Sequence, residues 1–146
     1  MKIPNPALIK EFSQPGPCQV CKVHCQKREA HHLWHRTPEI TIRINVIALG
    51  STPLFCCSCH TDVGTGKIPF NQTLEIVAAR EHTSTEAITE VMNLFRRLVK
   101  PTEMELLEGL ESLLPTAKAL AIRELMEAGV VRWVRRKVTP VLEMIS

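Results

Sequence analysis

The chain has 146 residues, an apolar fraction of 45% and a charged fraction of 23%, which fit one globular domain or two small ones. Its net charge of +3 permits a nucleic-acid partner without arguing for one. No apolar run approaches the ~20 residues of a membrane-spanning helix, and the N-terminus carries no apolar signal-peptide region. We therefore expect a cytoplasmic protein that has no membrane partner and keeps its thiols reduced.

Residues 1–17 are expected to form an extended N-terminal segment. They contain four prolines and one glycine, which disfavour a helix. The apolar side chains in this segment are expected to pack against the domain that follows; they are Ile3, Leu8, Ile9 and Phe12.

Residue types that bind metals are concentrated in residues 18–67, which contain all six cysteines and five of the six histidines. Two Cys-x-x-Cys pairs stand about 35 residues apart in this stretch, and each pair has the spacing of a tight turn that presents two thiolates to one ion. In a reducing compartment such cysteines are more often metal ligands than disulfides. The sequence therefore predicts a structural Zn²⁺ site with four thiolate ligands, Cys18, Cys21, Cys56 and Cys59.

The other two cysteines leave alternatives open. Cys25 lies four residues beyond Cys21 and could compete as a ligand. Cys57 is interpreted as a small packed residue. In an exported protein, the six cysteines could instead form three disulfides.

The residues between the two cysteine pairs predict a hairpin, and the second pair is expected to begin a helix. Residues 39–47 alternate apolar and polar side chains and are rich in β-branched types, as in a strand. Residues 50–53 predict a turn, and a short helix is expected from Cys57 to Gly64 or Gly66. A Cys-x-x-Cys turn, a hairpin with paired histidines and a helix that starts at the second cysteine pair together make up a treble-clef fold.

The motif Ala30-His31-His32, followed by a strand and by Cys56-x-x-Cys59-His60, resembles the HNH endonuclease family in its zinc-stapled form. Small phage and prophage nucleases are the most similar in style, and the resemblance covers roughly residues 16–80. It implies a metal-dependent DNA endonuclease, in which a ββα-metal unit holds a catalytic divalent ion, Mg²⁺ or another, against the scissile phosphate. If it is phage-encoded, such a protein would act in the cytoplasm of the bacterial host cell.

The same resemblance assigns roles to individual residues. His31 matches the first position of the paired motif and His60 matches the closing His, so both are expected to bind the catalytic metal ion. His32 matches the second position of the pair, the general base that activates water. Asn45 is the candidate for the catalytic Asn of the family, although it lies eleven residues before Cys56.

Phosphodiester hydrolysis calls for these residue types independently of the resemblance. The reaction needs a nucleophile formed at neutral pH and a cation near the developing charge, and an imidazole with a pKa near ~6.5 is a competent base. Adjacent side chains on a strand point to opposite faces, so one ligand and one base is a natural division of roles for His31 and His32. The alternative is a non-catalytic zinc-containing DNA-binding or regulatory protein with the same fold.

The C-terminal half predicts helices and then a hairpin. Apolar residues recur at helical spacing over residues 72–81, 85–99, 102–114 and 115–128, with caps or helix breakers at the boundaries. Residues 130–145 have the composition of two strands. This order resembles the end of a winged-helix domain, although a plain helical bundle or a dimerisation arm would fit the same pattern.

The sequence as a whole predicts an α+β protein in three parts. Residues 1–17 are the N-terminal segment, residues 18–82 the HNH-like zinc domain, and residues 83–146 a mainly helical domain that is a winged helix in one interpretation. The expected partners are DNA and, through the C-terminal helices, a second copy of the chain. The basic side chains expected to contact phosphate are Arg36, Lys67, Arg132, Arg135, Arg136 and Lys137.

Overall fold

The computed structural model describes residues 1–34, 39–51, 57–136 and 139–145, without the side chains of residues 135, 136 and 139. The fold is α+β, and the sheets in this part of the chain are three antiparallel strand pairs. The elements in chain order are α1 (Pro6–Phe12), β1 (Gly16–Pro17), β2 (His24–Cys25), β3 (Arg28–His32), a 3-10 turn (Arg43–Asn45), β4 (Val46–Gly50), α2 (Cys59–Gly64), α3 (Phe70–Arg80), α4 (Thr85–Arg97), α5 (Glu103–Glu111), α6 (Pro115–Glu127), β5 (Val131–Arg136) and β6 (Thr139–Met144).

The N-terminal segment contains a helix, α1, so the prediction of a wholly extended segment was wrong. The Asn5 side chain caps α1 by accepting a hydrogen bond from the Leu8 amide at 3.2 Å. Pro6 occupies the first turn, where a missing N–H costs nothing and a fixed φ favours the helix. Leu8 and Phe12 are buried against β4, as expected for the apolar side chains of this segment.

Strands β3 and β4 form the hairpin that carries the paired histidines. They pair antiparallel, with Arg28 opposite Gly50 and His32 opposite Val46. The strand predicted over residues 39–47 begins later than expected, because a 3-10 turn precedes β4. All five residues of β4 are buried, since α1 covers one face and α2 contacts the other side of the hairpin. A strand buried on both faces shows a continuous apolar run and no alternation.

The helices after the second cysteine pair agree with the prediction. Helix α2 begins at Cys59, and α4 begins after Ser84, whose hydroxyl accepts from the Ala87 amide at 3.1 Å. Thr102 and Glu105 form a capping box at the start of α5. The predicted C-terminal hairpin is also present as β5 and β6. None of the helices in the described ranges is both long enough and apolar enough to cross a membrane.

One hydrophobic core runs through both halves of the chain. Ile47 and Leu49 of β4 belong to the same buried cluster as Val91 of α4 and Leu125 of α6. Polar contacts reinforce this junction, because the buried carboxylate of Glu124 accepts a hydrogen bond from the Arg43 amide at 2.9 Å. The C-terminal helices therefore support the hairpin directly.

Arg80, the last residue of α3, ties several elements together. Its guanidinium donates to the carbonyl oxygens of Val46 at 2.8 Å and Arg43 at 2.6 Å, and to Gln19 Oε1 at 2.7 Å. It also lies over the ring of Phe12, 4.8 Å from its centroid. One side chain thus links α3 to β4, to the first cysteine turn and to α1.

Replacing Arg80 by Met should lower the free energy of unfolding by about 3 kcal/mol, because three part-buried acceptors each lose the hydrogen bond from the guanidinium. Chemical denaturation monitored by circular dichroism measures this loss. The exposed Arg97 provides the matched control, and Arg97→Met should change stability by less than about 0.5 kcal/mol. Equal effects of the two substitutions would contradict the role given to Arg80.

Candidate metal centre and histidine pair

Four cysteines meet between the first cysteine turn and the start of α2. The Sγ atoms of Cys18, Cys21, Cys57 and Cys59 all lie within 4.8 Å of one another. A tetrahedral site with Zn–S bonds of about 2.3 Å needs sulfur atoms about 3.8 Å apart. The four sulfurs are therefore close enough, with small adjustments, to hold a metal ion such as Zn²⁺.

The backbone of the first turn explains how it presents two sulfurs. Strands β1 and β2 flank it, and the Cys18 amide donates to the carbonyl of Val23 at 2.9 Å. The Lys22 amide donates back to the Cys18 carbonyl at 2.8 Å, and Lys22 adopts a left-handed φ of 67° that closes the turn. On the other side of the sulfur group, Cys59 is the first residue of α2, so the other two sulfurs come from the start of this helix.

The electrostatics of the four thiols favour a bound cation. Burial alone would raise the pKa of Cys18, but hydrogen bonds from the backbone of Cys21, Gly50 and Val20 and from Cys57 lower it to about 7. Burial raises the pKa of Cys57 and of Cys59, and for Cys59 the neighbouring cysteines raise it further. Cys18 ionises readily whereas Cys57 and Cys59 resist ionisation, so a bound positive ion would stabilise these sulfurs as thiolates.

The sulfur group differs in one member from the predicted ligand set. Cys18, Cys21 and Cys59 lie in it, together with Cys57, which was expected to be only a packed residue. Cys56 lies outside the described residues, so its role as a ligand stays a prediction. Cys25, the alternative ligand, is fully buried and is not one of the four. It is disulfide-bonded, so the expectation of reduced thiols is wrong for this residue. The Cys57-x-Cys59 spacing was the available signal for Cys57.

The two histidines predicted to bind the catalytic metal ion lie side by side next to the sulfur group. The ring centroids of His31 and His60 are 5.3 Å apart, with the rings at 77°. His60 follows Cys59 in the first turn of α2, and its Nδ1 lies 3.8 Å from Oε2 of Glu29. Glu29 and His31 share one face of β3 because they are two residues apart on the strand. The hairpin and α2 thus bring two imidazoles and a carboxylate together.

His32 lies on the other face of the hairpin, as strand alternation predicts. Its Nε2 is 3.0 Å from the hydroxyl oxygen of Thr41, and burial lowers its pKa. Ala30 shares this face and packs against the cluster formed by α1 and β4. The structure therefore brings His31 and His60 together and gives His32 a separate environment at the end of β3.

Asn45 is 1% exposed, and both ends of its amide contact the backbone. Its Nδ2 donates to the Ile40 carbonyl at 2.8 Å, and its Oδ1 accepts from the Trp34 amide at 3.1 Å. These contacts join the segment that follows His32 to the segment that carries Thr41. With this burial, Asn45 can affect the site by positioning the segment around His32.

The remaining predicted residues are spread over the surface. Lys67 is exposed in the connection after α2, next to a cavity of about 280 Å³ lined by His31 and residues 63–66. Arg132 is exposed and its Nε donates to Glu143 at 2.9 Å. The other four stay predictions, because they lie outside the described residues or are described without side chains: Arg36, Arg135, Arg136 and Lys137.

Substitution of the sulfur ligands should remove the metal. Cys57→Ser and Cys18→Ser should each lose most of the bound zinc and lower the free energy of unfolding by more than about 3 kcal/mol, because the metal-binding energy contributes to folding. Metal analysis of the purified protein measures the zinc content, and denaturation measures the stability. His24, an exposed residue beside the first turn, is the control, since His24→Ala should keep its zinc.

Cys56→Ser decides between the predicted and the observed ligand set. The four sulfurs of the described group complete a tetrahedral site, so this variant should retain zinc while Cys57→Ser loses it. The reverse result would show that Cys56, and not Cys57, is the ligand.

Comparison with known proteins adds no identification. No protein-family model, no curated protein and no solved structure matches this chain. The chemistry of the sulfur group and of the histidine pair is therefore the basis on which a function can be argued.

Proposed function

We propose that the protein is a metal-dependent DNA endonuclease of the HNH type, with a zinc-stapled treble-clef domain. The observation that supports it is the pairing of His31 from the hairpin with His60 from α2, with ring centroids 5.3 Å apart, beside four cysteines suited to zinc. A structural zinc site that fixes a hairpin against a helix, with imidazoles at their junction, is the arrangement that the sequence resemblance implies. In this proposal the cysteines stabilise the fold through zinc, and His31 and His60 hold the divalent cation that faces the reacting phosphate.

His31 and His60 would hold a divalent cation, Mg²⁺ or another, with the carboxylate of Glu29 close to His60. Imidazole and carboxylate are ordinary ligands for divalent ions, so the residues present fit this group. When bound, such an ion supplies positive charge for the negative charge that develops on the phosphate. The chain itself fixes the two rings through β3 and the first turn of α2, so the site is held by regular structure and not by a loop.

His32 is the proposed general base, and its environment keeps it in the required form. Burial lowers its pKa, so the imidazole stays neutral and able to accept a proton at pH 7 and somewhat below. Thr41 contacts its Nε2, which orients the ring and leaves Nδ1 as the atom to take the proton. His32 is the last residue of β3 and lies on the face opposite His31, so this role requires the phosphate to extend past the end of the strand.

Glu29 is the competing base, because its carboxylate lies on the same face as the histidine pair. The two assignments differ in their pH dependence. With His32 as the base, activity should fall as the pH drops through a value below ~6.5, the ordinary pKa of imidazole. With Glu29 as the base, the His32→Ala variant should keep the pH–rate profile of the parent protein.

The C-terminal part would bind DNA or mediate self-association. Helices α4, α5 and α6 followed by the β5–β6 hairpin have the order of a winged-helix domain, and we propose that assignment. The exposed Arg132 on the hairpin and Lys67 near the histidine pair would contact phosphates.

A non-catalytic zinc-containing DNA-binding or regulatory protein is the second candidate. The position of His32 on the face opposite His31 and His60, in contact with Thr41, favours it. In that case the histidines stabilise the fold or the zinc site and no reaction follows. DNA binding without cleavage under any divalent ion would establish this alternative over the nuclease.

Plasmid nicking in the presence of Mg²⁺ or Mn²⁺ tests the proposal. His31→Ala and His60→Ala should each lower the nicking rate at least about 100-fold, because the developing charge loses its counter-ion. Both variants should keep their zinc, since neither residue belongs to the sulfur group. His24→Ala is the matched histidine control and should nick at the parent rate.

Comparing His32→Ala with Glu29→Gln identifies the base. His32→Ala should lower the rate about 100-fold or more, while Glu29→Gln should leave most of the activity and the acidic limb of the pH–rate profile in place. A large loss in Glu29→Gln with a functional His32→Ala variant would transfer the role of base to Glu29. An inactive parent protein with every divalent ion would contradict the nuclease proposal itself.

A further inference from the structure

A small cavity adjoins the histidine pair. It lies between the end of β3, the end of α2 and the start of α3, and His31 forms part of its wall. Its volume is about 280 Å³, just below the range of about 300–1,000 Å³ for pockets that take drug-sized molecules. A space of this size suits a single ring system and not a longer piece of polymer.

The floor of the cavity is apolar. Leu33 and Thr73 are buried there, at 3% and 1% exposure, and Val63 and Ile68 are half-buried beside them. The Thr73 hydroxyl is occupied within α3, because it donates to the Phe70 carbonyl at 2.7 Å. Among the residues that the structure describes, no Asp, Glu, Lys or Arg lines the cavity. The floor therefore suits the face of a flat ring better than a phosphate group.

Phe70 places an aromatic ring at the edge of this cavity. It is 44% exposed, although phenylalanine is among the residue types that are most often buried. In the described part of the chain, the other exposed aromatic residue is Trp133, which does not line this cavity. Exposed aromatic rings are the platforms on which proteins stack unpaired bases of nucleic acids.

His31 connects the cavity to the proposed reaction. In that proposal His31 and His60 hold the divalent ion that faces the scissile phosphate, and His31 also lines the cavity. Because a nucleoside is bonded directly to its phosphate, the nucleoside next to the scissile bond would lie beside the cavity. Lys67, exposed in the connection after α2, is available for a neighbouring phosphate.

We propose that this cavity binds one unpaired DNA base, on the nucleoside next to the scissile phosphate, with Phe70 stacked against it. The inference rests on the proposed function for the position of the phosphate, and it adds the class of substrate. A base that is paired and stacked in a duplex cannot enter the cavity, so the nucleotide must be turned out of the duplex or be unpaired already. Turning out costs least where the base has no partner. The preferred substrate is therefore DNA with an unpaired nucleotide at the cleavage site.

Gly64 provides a way to fill the cavity. It lines the cavity at the end of α2, and a Cβ at this position would meet no atom within 4 Å. Gly64→Leu should therefore fold like the parent protein, since leucine also favours a helix more than glycine does. Its side chain would occupy the space meant for the base. Gly64→Ala, which adds a single carbon, is the matched control.

Fluorescence anisotropy with labelled DNA tests the proposal on the zinc-loaded full chain, without any other divalent ion. The probes are a duplex with one bulged nucleotide and the same duplex in which the bulged nucleotide lacks its base. The parent protein should bind the first at least about tenfold more tightly, because only the first offers a base to the cavity. Phe70→Ala and Gly64→Leu should lose most of this preference and bind the abasic probe like the parent protein. Gly64→Ala and Trp133→Ala should keep the preference.

The outcomes separate this proposal from the nuclease proposal. A parent protein that nicks plasmid DNA but binds the two probes equally would overturn the base-binding cavity and leave the nuclease in place. A preference that depends on Phe70, in a protein that never nicks DNA, would support the cavity and contradict the nuclease. Equal loss of the preference in Trp133→Ala and Phe70→Ala, or a parent protein that binds neither probe, would also overturn the cavity. Circular dichroism and zinc content should match the parent protein in every variant.

Discussion

The structure depends on the meeting of four sulfur atoms from two distant parts of the chain. The first cysteine turn and the start of α2 enclose the whole β3–β4 hairpin between them, so a metal ion bound to these sulfurs would close a long loop. The position of α2 relative to β3 follows from that closure. His31 and His60 lie side by side because one belongs to the enclosed hairpin and the other follows a sulfur ligand directly.

A second set of contacts supports the same hairpin from the helical side. Arg80 donates to the carbonyls of Val46 and Arg43, and the buried Glu124 of α6 accepts from the Arg43 amide. Burial raises the pKa of Glu124, and hydrogen bonding to Arg123 opposes this rise. Burial of a carboxylate costs free energy. The hydrogen bond that Glu124 accepts from the Arg43 amide connects α6 to the turn before β4. The hairpin is therefore held between the metal centre and the C-terminal helices.

The features that the sequence predicts well have local signals. The first cysteine turn, the caps of α4 and α5 and the opposite faces of His31 and His32 each depend on residues a few positions apart. Helix α1 differs from the prediction because prolines disfavour a helix at most positions, whereas Pro6 stands in the first turn, where a proline favours one. Strand β4 was misplaced because burial on both faces removes the alternation that identifies a strand.

The Cys57-x-Cys59 spacing is a signal for Cys57 as a ligand, but the spacing alone does not place Cys57 in the sulfur group, since that depends on the path of the backbone at the start of α2. The surroundings of the apolar side chains of α6 have a related cause. Their periodicity predicts a helix whether these side chains contact the core, a partner or solvent, and in the structure Ala119 and Met126 are exposed whereas Ile122 belongs to the core. Both the position of Cys57 and the surroundings of the α6 side chains depend on how distant parts of the chain pack together.

X-ray absorption at the zinc edge of the zinc-loaded protein tests the central claim most directly. The account predicts four sulfur scatterers at about 2.3 Å and no nitrogen ligand, because the four cysteines can complete a tetrahedral site without His31 or His60. A first shell that mixes sulfur with imidazole nitrogen would contradict it. In that case the histidines would belong to the structural zinc site, and no separate centre for phosphodiester chemistry would remain.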